Sequence, residues 1–412
     1  MNLLLSLAAG LVLAAQGAAP APDAPDGTDA PRTRRAARRD ASGWTLDARL
    51  GAYAGAFDGM GVRRDSGGLG IVEGALAPEW RGGDWTVGVP LRLAHRQTFG
   101  ADLSETTGAL DLTAERRLTR SFRAGPEVGV SGAYRPGWPD LYQRAPGGAL
   151  ASTDRFGYLA WHVGGQLWAR PLPRSHLRLH YRYVSYAYRG EAAFQPDVNP
   201  MHLTPRDNVQ HQVDLSWRYL GGESWAAAFR LDYTHRHDLD LLARNAGTGG
   251  TSGYTNPDQK LSKLEPSVEV ELKRLGGQLD ASLRWGYVVQ DDPFQGYYSY
   301  SGQHPRLDLD WTATGRLTLE GRVEAWLLEY GANGTSPARL DSGSRRYDRR
   351  VALRAGARYA LTPAVSAVAE AEWVKRDTNY PDYVPDPATD AGYDIRFDYE
   401  NVRAIAGVEW RL

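Results

Sequence analysis

The run Ser175–Tyr188 reads SHLRLHYRYVSYAY. Leu177, Leu179, Tyr181 and Tyr183 alternate with Arg178, His180 and Arg182, so one side is apolar and the other strongly charged. A period of two marks a strand with unlike faces, whereas a helix gathers residues three and four apart. The proline-rich turn PLPRS (residues 171–175) precedes the run, and a long polar segment reaching Asp207 follows it. Short turn, alternating strand and long loop together form the repeating unit of a transmembrane β-barrel.

The same unit recurs in both directions. Toward the start, alternating runs fall at residues 158–170, 122–134, 109–118, 85–95, 71–80 and 44–57. Toward the end they fall at 209–219, 225–235, 264–275, 279–290, 306–317, 319–330, 351–361, 365–375 and 402–412. Short joins such as Arg81, Gly82, Gly83 and Asp84 or Leu220, Gly221, Gly222 and Glu223 alternate with long polar connections. Residues 58–70, a glycine-rich exit, and 96–107, 135–155, 189–206, 331–346 and 377–400 are long connections of this kind, and the largest, about twenty-five residues, centres on residues 245–262. The expectation is an all-β, antiparallel transmembrane barrel of about sixteen strands, with about eight long connections and seven short ones. Eleven residues at about 3.3 Å each and a tilt near 40° span roughly 28 Å, enough to cross the hydrocarbon layer. An even strand number returns both termini to the side of the short turns.

Composition agrees. The 412 residues hold 13 Trp, 22 Tyr and 46 Gly, carry a formal charge of -1 and contain no Cys. Mean hydropathy is negative, as it should be when only every second strand residue meets lipid. A nearly neutral chain offers no argument for a nucleic-acid partner. Without Cys there is no disulfide stapling.

Residues 1–17, MNLLLSLAAGLVLAAQG, have an apolar core closed by small residues and read as a signal peptide. Residues 18–42 are rich in Ala, Pro, Asp and Arg and read as a disordered basic tail, with Arg32, Arg34, Arg35, Arg38 and Arg39 close together. Residues 43–412 are then the barrel, and the tail is too short for the folded plug of a TonB-dependent receptor.

The leader, the hairpin series and the final strand NVRAIAGVEWRL resemble a Gram-negative outer-membrane β-barrel of porin size. That resemblance implies periplasmic turns, extracellular loops, contact with lipid and lipopolysaccharide, and delivery by the barrel-assembly machinery. The last strand of such barrels usually ends in an aromatic residue. Here Leu412 is terminal and Trp410 stands two residues before it.

If the apolar face meets lipid, the charged face lines a lumen. Residues expected to guide solute there are Arg170, Arg178, His180, Arg182, Arg230, Arg306, Arg350, Arg354 and Arg358, interleaved with acids such as Glu127, Asp214, Asp232, Glu370 and Glu409. A planar guanidinium suits carboxylate, sulfate or phosphate. Each Arg is equally explained as half of a cross-strand ion pair. Tyr297, Tyr298, Tyr300, Tyr380 and Tyr383 read as loop aromatics able to stack on sugar rings.

Two transport readings follow: a porin whose third long connection, residues 135–155, folds inward, or a polysaccharide-export barrel working with periplasmic export components. A non-conducting adhesive or structural barrel is the alternative of another class. No catalytic site, cofactor or metal site is expected, because no nucleophile-elbow, phosphate-loop or dinucleotide motif occurs. The compact groupings to check are Ser175 with His176 and His235 with His237 and Asp238. The acids of the last loop, among them Asp382, Asp386 and Asp390, lack EF-hand spacing.

Overall fold

The computed structural model describes residues 42–411 apart from 61–64, 100–102, 137, 145–149, 154–156, 189–206, 246–254, 276–277, 332–345, 380, 385–392 and 397–398. The signal peptide and all but the last residue of the basic tail lie outside the described residues.

Twenty-one strands are described: β1 (Gly43–Met60), β2 (Asp65–Gly82), β3 (Trp85–Gly88), β4 (Leu91–Phe99), β5 (Ser104–Thr119), β6 (Phe122–Tyr134), β7 (Trp138–Arg144), β8 (Leu150–Thr153), β9 (Tyr158–Ala169), β10 (Ser175–Tyr188), β11 (Asn208–Leu220), β12 (Trp225–Leu242), β13 (Asp258–Leu275), β14 (Leu279–Asp291), β15 (Tyr300–Thr312), β16 (Leu317–Tyr330), β17 (Tyr347–Ala360), β18 (Val365–Thr378), β19 (Pro381–Val384), β20 (Tyr393–Arg396) and β21 (Tyr399–Arg411). Seventeen of them form one antiparallel sheet. β3 and β4 both pair with β2 and with β5, so they are halves of one staff and the wall has sixteen positions, 17 less 1. Pro90 separates the halves because it has no N–H to give to the ladder.

The sheet closes on itself. β1 pairs with β21 from Arg49 opposite Arg411 to Asp58 opposite Val402. Among the described residues no barrel strand is left with an unpaired edge, which in hydrocarbon would cost several kcal/mol for each orphaned amide.

Parity then sorts every side chain. On β13, Leu264, Val268, Val270 and Leu272 stand exposed on the outer surface, while Lys263, Glu265, Ser267, Glu269 and Glu271 occupy the opposite face. β10 does the same, with Leu177, Leu179, Tyr181 and Tyr183 outward and Arg178, His180 and Arg182 inward. Trp44, Trp85, Trp217, Trp225, Trp311 and Trp410 are exposed on the outer face near the short turns, forming one aromatic girdle. Trp161 and Tyr183, with ring centroids 5.5 Å apart, belong to the other. A closed antiparallel barrel with an apolar outer belt between aromatic girdles is a membrane barrel; the chain is a β-barrel of the Gram-negative outer membrane.

The structure corrects several boundaries. The glycine-rich exit at residues 58–70 and the connection at 96–107 are mostly strand, leaving only residues 61–64 and 100–103 between β1 and β2 and between β4 and β5. Gly68 and Gly70 serve as strand residues because the Phe99 ring lies over them, 3.4 Å from where a Cβ would stand. Thr98 closes the second turn, its amide donating to the Leu103 carbonyl at 2.8 Å. The connection expected at residues 245–262 is only 243–257. The β15–β16 turn is at residues 313–316 rather than near 318, since the Thr314 hydroxyl oxygen accepts from the amides of Arg316 and Leu317 at 3.2 and 3.0 Å. The third and last long connections contain the separate hairpins β7–β8 and β19–β20.

Candidate functional site: the inner wall

Sixteen strands each present alternate residues to the interior, and the inward sets are dominated by Arg, Asp, Glu and His. The register decides which of them meet.

On β5 to β11 the inner wall carries a chain of acids and imidazoles. His180 Nε2 lies 2.7 Å from Glu127, and its Nδ1 is 3.4 Å from Asp214. His162 lies 3.6 Å from Asp111 and 3.9 Å from Glu127. Arg182 approaches Glu127 at 3.9 Å, and Arg178 donates to the Gln166 side-chain carbonyl at 3.4 Å. Glu127 therefore sits under two imidazoles and one guanidinium.

A second cluster spans β12 to β16. Arg284 donates to Asp232 at 2.9 Å, Glu265 at 3.3 Å and the Ser267 hydroxyl at 3.0 Å. His304 has a carboxylate at each ring nitrogen, Glu265 and Glu324, both at 2.7 Å, and its ring stacks 3.5 Å from Trp326. Arg306 and Arg322 converge on Asp308 at 2.7 and 2.6 Å, and Arg230 pairs with Glu269 at 2.9 Å.

The third cluster straddles the closure seam. Arg354 pairs with Glu370, and Arg403 reaches Glu370 at 2.8 Å and Glu372 at 2.9 Å. Arg358 pairs with Glu409, whose carboxylate also lies 2.9 Å from the Tyr53 hydroxyl. Arg350 occupies the inward register of β17 opposite Trp326 and Arg376 and is exposed.

Arg170 departs from the expectation. It lies beyond the end of β9, exposed at the short-turn rim, with its guanidinium 5.2 Å from the Trp168 ring. The rim tryptophan takes it because the strand has already ended there.

The loop tyrosines divide. Tyr300 is the first residue of β15 and faces its register partners Gln290 and Tyr330, so it is a wall residue. Tyr297 is only 4% exposed, packed against Tyr298 with both rings under Arg244 at 5.7 and 5.9 Å. It is a packed element of the β14–β15 connection and presents no open platform for a sugar. Asp292 organises this connection, accepting from the amides of Phe294 and Tyr298, each at 3.2 Å. Burial holds its carboxyl above the ordinary range, opposed by those two amides. Burial likewise pushes the Tyr298 phenol up. Tyr380, Asp386 and Asp390, and the side chains of Asp382 and Tyr383, lie outside the described residues.

Neither compact grouping is catalytic in arrangement. Ser175 is fully buried and exchanges hydrogen bonds with the Leu172 backbone, each 3.0 Å, closing the turn. His235 and His237 share the outward face, whereas Asp238 faces inward and pairs with Arg236. No group of three or more metal-binding side chains comes together among the described residues.

No family model matches the chain, and neither does any curated protein. Solved structures similar in fold are outer-membrane proteins. OmpT, an outer membrane protein of Vibrio cholerae, is 11% identical with a TM-score of 0.45, covering 90% of this chain and 98% of its own. OpdQ of Pseudomonas aeruginosa is 10% identical, TM-score 0.45, covering 90% and 99%. OccAB4 of Acinetobacter baumannii is 10% identical, TM-score 0.44, covering 90% and 98%. Likeness at this level carries no argument about solute or activity, which must come from the wall itself.

Sequence reading missed Phe57, Leu69, Arg96, His304 and Glu265. Phe57 and Tyr53 had a visible signal, since they share odd positions on β1 with Asp47 and Arg49 and so belong inside. Leu69 had none, because it lies in a glycine-rich stretch that reads as loop.

Proposed function

We propose that the barrel is a passive outer-membrane channel for hydrophilic solutes. The observation that supports this is the inner wall, where fixed charges of both signs are interleaved around the circumference and held by neighbours on adjacent strands. A barrel of sixteen positions is wide enough for an aqueous channel. Paired charges keep such a wall hydrated and stiff without giving it one dominant sign, so small ions of either sign are passed. The hairpin β7–β8 of the third connection is the segment proposed to narrow the lumen. Lipid and lipopolysaccharide are the partners proposed for the outer face.

Passage of a polysaccharide is the finer form of this reading. It draws on the guanidinium series Arg350, Arg354 and Arg358, two of which are engaged by Glu370 and Glu409. Those pairs favour small solutes over a polymer that needs free guanidiniums. Reconstitution in planar bilayers tests the proposal: folded protein should give nanosiemens-scale single-channel steps in KCl. A folded barrel that inserts and gives no steps is the adhesive or structural barrel instead.

A further inference from the structure

Around the seam, β1, β2, β4, β17, β18 and β21 enclose a cavity of about 210 Å³ on the inner wall. Its floor is apolar: Phe57, Leu69 and Val374 are all buried. Phe57 and Leu69 belong to the buried apolar cluster of the described chain, with Ile71 and the flanking Tyr53 and Ile405. In a lumen lined elsewhere by charge, this is an apolar patch placed within reach of water.

The sides are cationic. Arg96, Arg350 and Arg403 line the cavity with one carboxylate, Glu372, which is held by Arg403 at 2.9 Å. Arg403 is also held by Glu370 at 2.8 Å. The Arg96 carboxylate partner, Glu105, stands 3.9 Å away. No carboxylate of the described residues lies within ion-pair distance of Arg350. Arg96 Nε, Arg403 Nε and Asn401 Oδ1 are buried with no hydrogen-bond partner among the described residues, and all three belong to this lining.

A buried guanidinium N–H without an acceptor is costly, and a carboxylate offers two acceptors in matching geometry. An apolar floor rewards a ring or branched body that leaves water. The cavity is smaller than the about 300–1,000 Å³ that holds drug-sized ligands. The geometry points to a subsite for a small organic monoanion with an apolar body, an aromatic carboxylate above all, on the extracellular half of the lumen wall. It rests on the channel reading for the solute's arrival; binding itself needs only the folded barrel.

Calorimetric titration of the full chain folded in detergent tests it, with benzoate, acetate and benzylammonium as probes. Benzoate should bind about tenfold tighter than acetate, and benzylammonium should not bind. Arg350→Gln, at an exposed position, should weaken benzoate about tenfold, and Arg96→Gln combined with it should abolish binding, with heat-modifiable gel mobility reporting that each variant is folded. Benzoate binding no tighter than acetate, or unchanged in folded Arg350→Gln, overturns the subsite. In planar bilayers benzoate should interrupt the KCl current of the unmodified chain over the concentrations that saturate it in calorimetry. Benzoate binding without any KCl current overturns the channel and leaves the subsite standing; current without benzoate binding does the reverse.

Discussion

Glu265 is 4% exposed and has three nitrogen-bearing neighbours: His304 at 2.7 Å, Arg284 at 3.3 Å and Lys263 at 3.5 Å. Removing it takes one partner from each, while Glu324 still holds His304 and Asp232 still holds Arg284. Breaking a fully buried pair costs about 3–5 kcal/mol, and a wall bordering water should lose somewhat less, about 2–3 kcal/mol for Glu265→Ala. Arg350→Gln should change stability by under about 0.5 kcal/mol. Urea unfolding in lipid vesicles measures both. Asp292 gives a pH dependence of known sign. Its carboxyl is raised in the folded loop, so the folded state binds the proton more readily than the unfolded one. The loop is therefore most stable below the ordinary carboxyl pKa, weakens as pH rises toward the folded value, and levels off above it. Hydrogen exchange over residues 292–299, corrected for intrinsic rates, should show this decline, and Asp292→Asn should remove it.

At the scale of the strand, alternation is a strong signal because a one-residue slip would put every charge into lipid. Val268, 56% exposed on the outer face of β13, is flanked by inward Ser267 and Glu269. Val268→Arg should cost about 2–4 kcal/mol in vesicle unfolding if it lies near midplane, whereas Ser267→Arg, one residue away, should cost clearly less. β6 and β10 were legible end to end for this reason, their alternating runs being bounded by polar turns. Where the sequence misled, a side chain had replaced the usual turn signal or a glycine had imitated one. Gly67, Gly68 and Gly70 read as loop because their partner, Phe99, is distant in the chain. The β15–β16 turn was placed late because Thr314, rather than a glycine pair, caps it. Tyr300 read as a loop residue because strand ends carry no marker of their own when the connection beside them is itself packed.

For the whole molecule, closure joins the two ends of the chain, and that juxtaposition is what no local pattern contains. Ala54 stands opposite Ala406 in the seam. Because the chain has no Cys, Ala54→Cys with Ala406→Cys is a clean test: oxidation should cross-link this pair efficiently, and Ala54→Cys with Ala404→Cys, two residues out of register, poorly. Gel mobility after oxidation reads the result, and preferential linkage of the offset pair would contradict the register. The charged lumen was legible as a composition of the inward face, but its pairings were not, since Tyr53 meets Glu409 only once the seam's register is set. The cavity beside the seam depends on the same closure, drawing Phe57, Leu69 and Arg96 from one end of the sequence and Arg350, Asn401 and Arg403 from the other.

Residues 61–64 and 100–103, the two brief connections on the flank that supplies Phe57, Leu69 and Arg96, have a counterpart across the cavity in residues 331–346 and 379–398. The connections that join these strands are thus unequal in length, short beside β1, β2 and β4 and long beside β16, β17, β18 and β21. Lengthening either brief connection is therefore the most direct way to throttle entry without altering a single lining side chain.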